Sequence, residues 1–249
     1  LAWLEREGLS VSVYDANIEL FHRVAPTLRE TWEWEKGLVW EDAAQVDELF
    51  GDALRQMAAE IAAHPAPVVG LHLASRKEIA AALLAGEINR LAPHKTIVAG
   101  GPGAATSDER TRFYLRSEGT VKHFIVGEGE LTLTETLRAL RGHEPLDKIP
   151  GLATFAAGRE TFSPRRETVD MAELPVPAYT HFDVTRYRHP ALAVEWSRGC
   201  TGDCAFCNVH QFWHAYRRKP SAVALAELAA LRERFGVDWF SLVDPVING

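Results

Sequence analysis

An α/β protein built on a parallel sheet is the fold class this sequence predicts, on three observations. Short apolar, β-branched runs alternate with longer amphipathic stretches; the runs are apolar almost throughout; and glycine clusters directly follow two of them. Such alternation indicates strands covered by helices, and continuous apolarity marks strands buried on both faces. Glycines at the C-terminal ends of parallel strands mark the sheet edge where ligands bind and where a backbone approaches them closely.

Taken in order, Leu1-Ala2-Trp3-Leu4-Glu5 reads as the interior of a helix, and Val11-Ser12-Val13-Tyr14-Asp15 as a short strand. Residues 41–63 carry Val46, Leu49, Phe50, Leu54, Met57 and Ile61 at helical spacing, until Pro65 and Pro67 stop the helix. Val68-Val69-Gly70-Leu71-His72-Leu73 has a buried-strand pattern, and Lys77 to Leu91 reads as a helix ending before Pro93. Thr96-Ile97-Val98-Ala99 is a strand running into Gly100-Gly101-Pro102-Gly103. Val121 to Val126 is another, running into Gly127-Glu128-Gly129-Glu130, with a helix from Leu131 to Leu140. Prolines 150, 164, 175, 177 and 190 then punctuate a stretch with short extended pieces such as Gly151-Leu152-Ala153-Thr154-Phe155, the texture of a connecting segment. A new unit begins at Ala191: a strand over Leu192-Ala193-Val194-Glu195-Trp196, a cysteine-rich loop, a helix from Ser221 to Phe235 with Ser221 placed to cap it, and a strand from Val237 to Val243. The expected organisation is a first domain over 1–146, a linker over 147–190 and a second domain over 191–249.

The chain has 249 residues, 47% hydrophobic and 24% charged, enough for a sizeable core without staples. A net charge of -7 argues against a nucleic-acid partner, the basic patch Arg217-Arg218-Lys219 notwithstanding. No apolar run reaches the roughly 18 residues that span a bilayer, and no signal peptide is visible. No membrane association and a cytoplasmic location are therefore expected. The three cysteines, Cys200, Cys204 and Cys207, are odd in number and clustered, a poor disulfide framework that suits a reducing compartment. The chain opens without Met inside a helical pattern and stops after a strand-like run, so a fragment of a longer protein is expected.

The cysteine loop reads Arg198-Gly199-Cys200-Thr201-Gly202-Asp203-Cys204-Ala205-Phe206-Cys207-Asn208, a C-x3-C-x2-C spacing directly after a strand. Thiolates are the preferred donors for iron in clusters. Three on a tight loop hold three corners of a four-iron cube and leave the fourth iron open, as a catalytic centre requires. Two plainer readings stand beside this: a structural zinc site of Cys200, Cys204, Cys207 and His210, and buried thiols without a metal.

With Phe206 before the third cysteine, the motif resembles the radical S-adenosylmethionine superfamily. That resemblance implies a [4Fe-4S] cluster on Cys200, Cys204 and Cys207 whose open iron chelates S-adenosylmethionine (SAM), reductive cleavage to a 5′-deoxyadenosyl radical, and a partial (β/α)6 barrel opening at strand 192–196. It implies Phe206 against the adenine. Phe240-Ser241-Leu242-Val243-Asp244 matches the second barrel strand, whose end contacts the methionyl part; Asp244-Pro245-Val246-Ile247-Asn248-Gly249 stands where the family has glycine-glycine-glutamate. Only 42 residues follow Cys207, whereas a barrel of six βα units at about 30 residues each needs far more.

The upstream part resembles the Rossmann-like, flavodoxin-like cobalamin-binding domain that precedes the radical domain in one subgroup. The matching pieces are Tyr14-Asp15-Ala16-Asn17, Val98-Ala99-Gly100-Gly101-Pro102 and Val126-Gly127-Glu128-Gly129-Glu130. The resemblance implies that Gly100, Gly101, Pro102, Gly127, Glu128 and Gly129 line the cofactor, and that the family's first strand is missing. The Asp-x-His-x-x-Gly axial-ligand motif is absent; His72 ends a strand near the ligand edge and is a cobalt ligand or a structural residue. A flavodoxin-like sheet without a ligand is the plain alternative.

Other candidates are open in both directions. Glu128 and Glu130 suit an acid/base pair or a glycine-bounded turn. Arg217 or Arg218 suits a carboxylate partner or a solvated face. Trp32, Trp34 and Trp40 form an aromatic patch without an assigned role. The expected function is that of a cobalamin-dependent radical SAM enzyme, a methyltransferase acting on an unactivated carbon of a small-molecule or peptide substrate, with an electron donor such as flavodoxin or ferredoxin. The alternatives are a zinc-stapled binding module and a catalytically silent cobalamin-binding fragment.

Overall fold

The computed structural model describes residues 1–74, 77–165, 167–188, 191–202, 204–207, 209–213 and 215–247. The chain divides into two compact units, Tyr14–Arg165 and a second formed by Leu1–Val13 together with Arg166–Gly249. In the second, α1 (Ala2–Arg6) buries Leu4. Glu5 of this helix pairs with His181 at 2.6 Å, and Arg6 donates to the Glu173 carbonyl at 2.5 Å.

In the unit Tyr14–Arg165, α2 (Ala16–Arg23) is capped by Asp15, whose carboxylate accepts the Ile18 N–H at 3.0 Å. Residues 11–15 form no strand, against expectation. A β-branched run needs a neighbouring ladder to become a strand, none pairs with it among the described residues, and Asp15 is drawn into the cap instead. Two 3-10 segments lead to α3 (Ala43–Ala63), whose first N–H groups are met by Asp42 at 2.9 and 3.0 Å. Val46, Phe50, Leu54, Met57 and Ala58 form its buried stripe; Leu49, expected there, is exposed.

The helix α3 packs with α4 (Glu78–Leu91) over a sheet whose strands are β1 (Val68–His72), β2 (Thr96–Gly100), β3 (His123–Ile125), β4 (Leu152–Ala156) and β5 (Arg159–Phe162), paired in that order. β1, β2 and β3 run parallel, with His72 opposite Gly100 and Gly100 opposite Ile125. β4 and β5 add an antiparallel hairpin, so the sheet is parallel-rich rather than wholly parallel. The hairpin falls within the segment the prolines marked as a linker. It turns on Ala157 and Gly158, both at positive φ (49° and 74°), the geometry that suits the twist of a two-residue hairpin. α5 (Ser107–Arg116) begins with a capping box between Thr106 and Glu109, and α6 (Gly129–Gly142) follows β3.

Trp32 and Trp40 are core residues of this same unit: Trp40 stacks on Phe50 at 4.4 Å and Trp32 meets both edge-on. The Trp34 side chain lies outside what is described. Phe50→Ala is expected to cost about 3–5 kcal/mol, seen as a lower urea midpoint with an unchanged slope.

The second unit contains β6 (Leu192–Val194), β7 (Ser197–Arg198), α7 (Val209–Phe212), β8 (Arg217–Arg218), α8 (Ser221–Phe235) and β9 (Phe240–Leu242). β6 and β9 pair in parallel, Leu192 opposite Phe240, with α8 as the crossover; this is the expected βαβ unit. Leu192, Val194, Leu231 and Val237 form its core. Ser221 does not cap α8. Pro220 occupies the N-cap position and no side-chain cap bond forms, which places Ser221 as the first helical residue. α8 ends on Gly236 in the left-handed region, as helices commonly do.

Candidate functional site

The cysteine loop leaves the C-terminal end of β6 and is closed at its base. Ser197 pairs with Arg218 and Arg198 with Arg217 in the short β7–β8 ladder. The ends of β6 and β9 are tied by Asp244, whose Oδ1 accepts the Trp196 N–H at 2.9 Å and also the Ser197 N–H. Beyond the loop, Lys219 donates its N–H to the Trp196 carbonyl at 2.7 Å. Its ammonium forms a 2.5 Å ion pair with Glu227 of α8, both side chains only 3% exposed. A buried charge of this kind is tolerated only when paired, so the pair fixes the exit of the loop on the helix.

Inside the loop all three cysteines are free thiols, Cys204 exposed and the other two half-buried. The Gly202 N–H points at the Cys200 sulfur at 3.2 Å, and the Cys207 N–H donates to the Cys204 carbonyl at 2.9 Å. A Cβ placed on Gly202 would lie 3.5 Å from the Cys200 sulfur and 3.8 Å from that of Cys204, so both sulfurs flank one small residue. Among the described residues no group of three His, Cys, Asp or Glu side chains is arranged to hold a metal ion. Asp203, Asn208, His214, Asn248 and Gly249 and the side chain of His210 lie outside the description. Phe206 is 93% exposed beside the thiols. Asp244 Oδ2 and the Trp196 indole N–H are both buried without a hydrogen-bond partner, the condition that calls for a ligand or water. Arg217 donates to the Val169 carbonyl at 3.1 Å.

The other candidate region is the C-terminal edge of β1, β2 and β3, where His72, Gly100 and Ile125 end their strands in register. Gly101 has φ +101°, and a Cβ there would lie 2.8 Å from the Leu73 carbonyl and 2.9 Å from the His72 ring. The glycine therefore lets two strand ends close up, with Gly103 N–H bound to the Leu73 carbonyl at 3.0 Å. Arg110, 3% exposed, holds the loop from behind by donating to the carbonyls of Ala104 and Ala105 and pairing with Glu160 of β5. Gly127 has φ +75°. Glu128 is the N-cap of α6 without a side-chain cap bond, and Gly129 and Glu130 open that helix rather than a turn.

His72 stands exposed at its strand end, yet desolvation against the fold pulls its pKa below the usual 6.5; burial does the same to His123, reinforced by Lys122. The folded protein favours both rings neutral, whereas the unfolded chain protonates near 6.5. Stability is therefore complete above that pH and falls as pH drops through it. The urea midpoint is expected to decline from pH 7 to 5, and less so in a His72→Asn/His123→Asn variant.

One cluster was visible in the sequence only in part: Trp32 and Trp40 stood out as aromatic residues, but nothing joined them to Lys77 or Asn17. Lys77, just before α4, donates to Asn17 Oδ1 at 2.5 Å and lies 4.5 and 4.8 Å from the ring centres of Trp32 and Trp40. Desolvation pulls its pKa down to about 8. These residues are far apart in sequence and follow no periodicity.

No family model matches the chain. It is 28% identical over 150 residues to an anaerobic magnesium-protoporphyrin IX monomethyl ester cyclase of Synechocystis, covering 54% of this chain and 28% of that protein. It is 21% identical to the cytidylyl-2-hydroxyethylphosphonate methyltransferase of Streptomyces wedmorensis, covering 99% of this chain and 50% of that protein. Among solved structures it is similar to the radical SAM methyltransferase TsrM from Kitasatospora setae (TM-score 0.61, 19% identity, 91% of this chain and 46% of that one). It is similar also to the cobalamin-dependent SAM radical enzyme OxsB (TM-score 0.64, 20% identity, 85% and 31%). The chain thus spans between 28% and 50% of the length of these curated relatives. Its α/β fold is that of the two solved enzymes, and the family named from the cysteine motif is the family of its structural neighbours.

Proposed function

We propose that this chain carries the cobalamin-binding and cluster-binding portions of a radical SAM methyltransferase, with methyl transfer to an unactivated carbon as the reaction of the whole protein. The observation that carries the reading is the cysteine loop itself: three free thiols on a loop leaving the first strand of a parallel βαβ unit, with a backbone N–H directed at one sulfur. Such N–H···S contacts are among the levers that set a cluster's potential.

In this reading Cys200, Cys204 and Cys207 are the cluster ligands. Exposed Phe206 offers a face for adenine, and Asp244 keeps its unpartnered oxygen for a cationic group of SAM while its other oxygen ties β6 to β9. Gly100, Gly101, Pro102, Gly127, Glu128 and Gly129 line the cobalamin side, with Arg110 holding the first loop in shape. When bound, the cluster supplies the electron that cleaves SAM and cobalamin supplies the methyl carrier. The protein's part is to hold these groups, orient them and exclude water. Substrate and electron donor, flavodoxin or ferredoxin, belong to the whole protein.

The test is anaerobic reconstitution of the full chain with iron and sulfide, followed by metal analysis and incubation with aquacobalamin. Four irons per chain with a broad brown absorbance, and cobalamin retained through gel filtration, are expected. A colourless protein with one zinc per chain overturns the cluster reading in favour of the zinc module. Iron without cobalamin retention removes the cobalamin assignment alone.

A further inference from the structure

His72 stands at the sheet edge with no structural task among the described residues. It ends β1 opposite Gly100, and it is exposed. Neither ring nitrogen makes a hydrogen bond or ion pair with a described residue. The ring is nevertheless held in place from one side. A Cβ on Gly101 would lie 2.9 Å from its Cδ2 and 3.0 Å from its Nε2, so only glycine at 101 lets the imidazole lie against that loop.

The positions around the ring carry no side chains. Successive residues of a strand face opposite ways, so Gly70 shares the His72 face, and an added Cβ there meets nothing within 4 Å. Gly100 is its neighbour across the ladder. An imidazole set among Gly70, Gly100 and Gly101 is a donor with backbone around it, which suits a large planar ligand. The C-terminal edge of parallel strands is also where open α/β sheets bind their ligands. A histidine kept for structure spends a ring nitrogen on a partner, as His123 does on Thr154 at 3.2 Å. His72 spends neither on a described residue.

We propose that His72 is a protein ligand to cobalt, giving a ring nitrogen to the face of the metal turned towards the ends of β1 and β2. This rests on the cobalamin assignment proposed above. The donor comes from a strand end and not from the Asp-x-His-x-x-Gly motif, which the sequence lacks. Neutral imidazole is the commonest metal ligand among side chains. The bond formed is a dative one from the ring lone pair; the group that held that face leaves with its own electrons, and neither a proton nor an oxidation state changes. Axial-ligand identity is a lever on a metal's reactivity, as in haem proteins, so His72 sets how firmly cobalt holds the group on its other face.

The test uses the full chain without added iron, loaded with aquacobalamin and freed of excess by gel filtration. It is held at about pH 8, where histidine is neutral, and reduced to the cobalt(II) state with titanium(III) citrate. Electron paramagnetic resonance then reads an axial nitrogen from the splitting of the cobalt lines. Chain grown with ordinary histidine should show each resolved line split into three, and chain grown with ring nitrogen-15 histidine should show it split into two. In labelled His72→Ala the two-line pattern should be lost. Three-line splitting in the labelled wild type would assign the nitrogen to the cofactor's own benzimidazole and overturn the proposal, as would unsplit lines. A two-line pattern that survives in labelled His72→Ala assigns the ligand to another histidine and overturns it too. Cobalamin that elutes apart from the wild-type chain removes the cobalamin assignment itself, and this proposal with it.

Discussion

Gly199→Ala is expected to abolish iron uptake by the cysteine loop while leaving the unit Tyr14–Arg165 folded. Gly199 sits at φ +82°, and a Cβ there would lie 2.4 Å from the Ala215 carbonyl oxygen, 2.7 Å from its carbon and 2.9 Å from the Tyr216 nitrogen. All three are backbone atoms, so no flexible side chain can swing aside. The left-handed conformation costs a residue with a Cβ about 1–2 kcal/mol, and overpacking adds about 1–3 kcal/mol. The two residue pairs of β7 and β8 and the Lys219 N–H on the Trp196 carbonyl close the base of the loop, and Ala215–Tyr216 runs directly into that ladder, so it cannot move aside without opening it. Gly236→Ala is the control: it also has positive φ (+64°), but nothing lies within 4 Å of the added carbon. It should cost about 1–2 kcal/mol and leave iron binding intact. Iron per chain after reconstitution, with thermal melts of both variants, checks the pair; full iron in Gly199→Ala would show that the loop can rearrange around the clash.

The second large effect belongs to the thiols. On the proposed cluster assignment, alanine at Cys200, Cys204 or Cys207 is expected to lower bound iron at least about tenfold, with the absorbance lost in parallel, because each removes one of the three assigned donors. Stability should separate from binding. Cys204 is exposed, so Cys204→Ala should leave the melting temperature of the metal-free chain within the small range of surface substitutions. Cys200→Ala also removes the acceptor of the Gly202 N–H and should cost more. A metal content unchanged by any single replacement would mean that the loop is not the binding site.

The elements legible in the sequence were those whose signal is local. Strands 68–72 and 96–100 and helix 78–91 announced themselves by apolar runs and helical spacing, bounded by Pro65, Pro67 and Pro93. The βαβ unit over 192–242 did so in the same way. What failed depended on partners distant in sequence. Val11–Asp15 has the composition of a strand but no ladder to join among the described residues, whereas Leu152–Ala156, read as a short extended piece, becomes a strand by pairing antiparallel with β3. Strand identity at such places is a property of the neighbour, not of the run.

The same division holds in the site. The cysteines and glycine loops proposed for the cofactors stand out in the sequence as motifs with local spacing. The residues that hold them in place do not: Arg198 reaches Trp213, Lys219 meets Glu227, and Arg110 pairs with Glu160 only through tertiary folding. Asp244 was picked out for a cofactor contact; one of its oxygens proves to be a tie between strand ends.

The order of residues in the two units bears on how the chain is made. Residues 1–13 pack with residues beyond 166, and the whole of Tyr14–Arg165 intervenes. Domains emerging from a ribosome generally fold from the N-terminus onward. Here α1 waits for Glu173 and His181, while Tyr14–Arg165, synthesised after it, can close without it. A nascent chain arrested so that residue 165 but not residue 171 has cleared the exit tunnel should therefore resist protease in that middle portion and remain cleavable at Arg6, with protection of α1 arriving only after residues 171–181 have cleared the tunnel too.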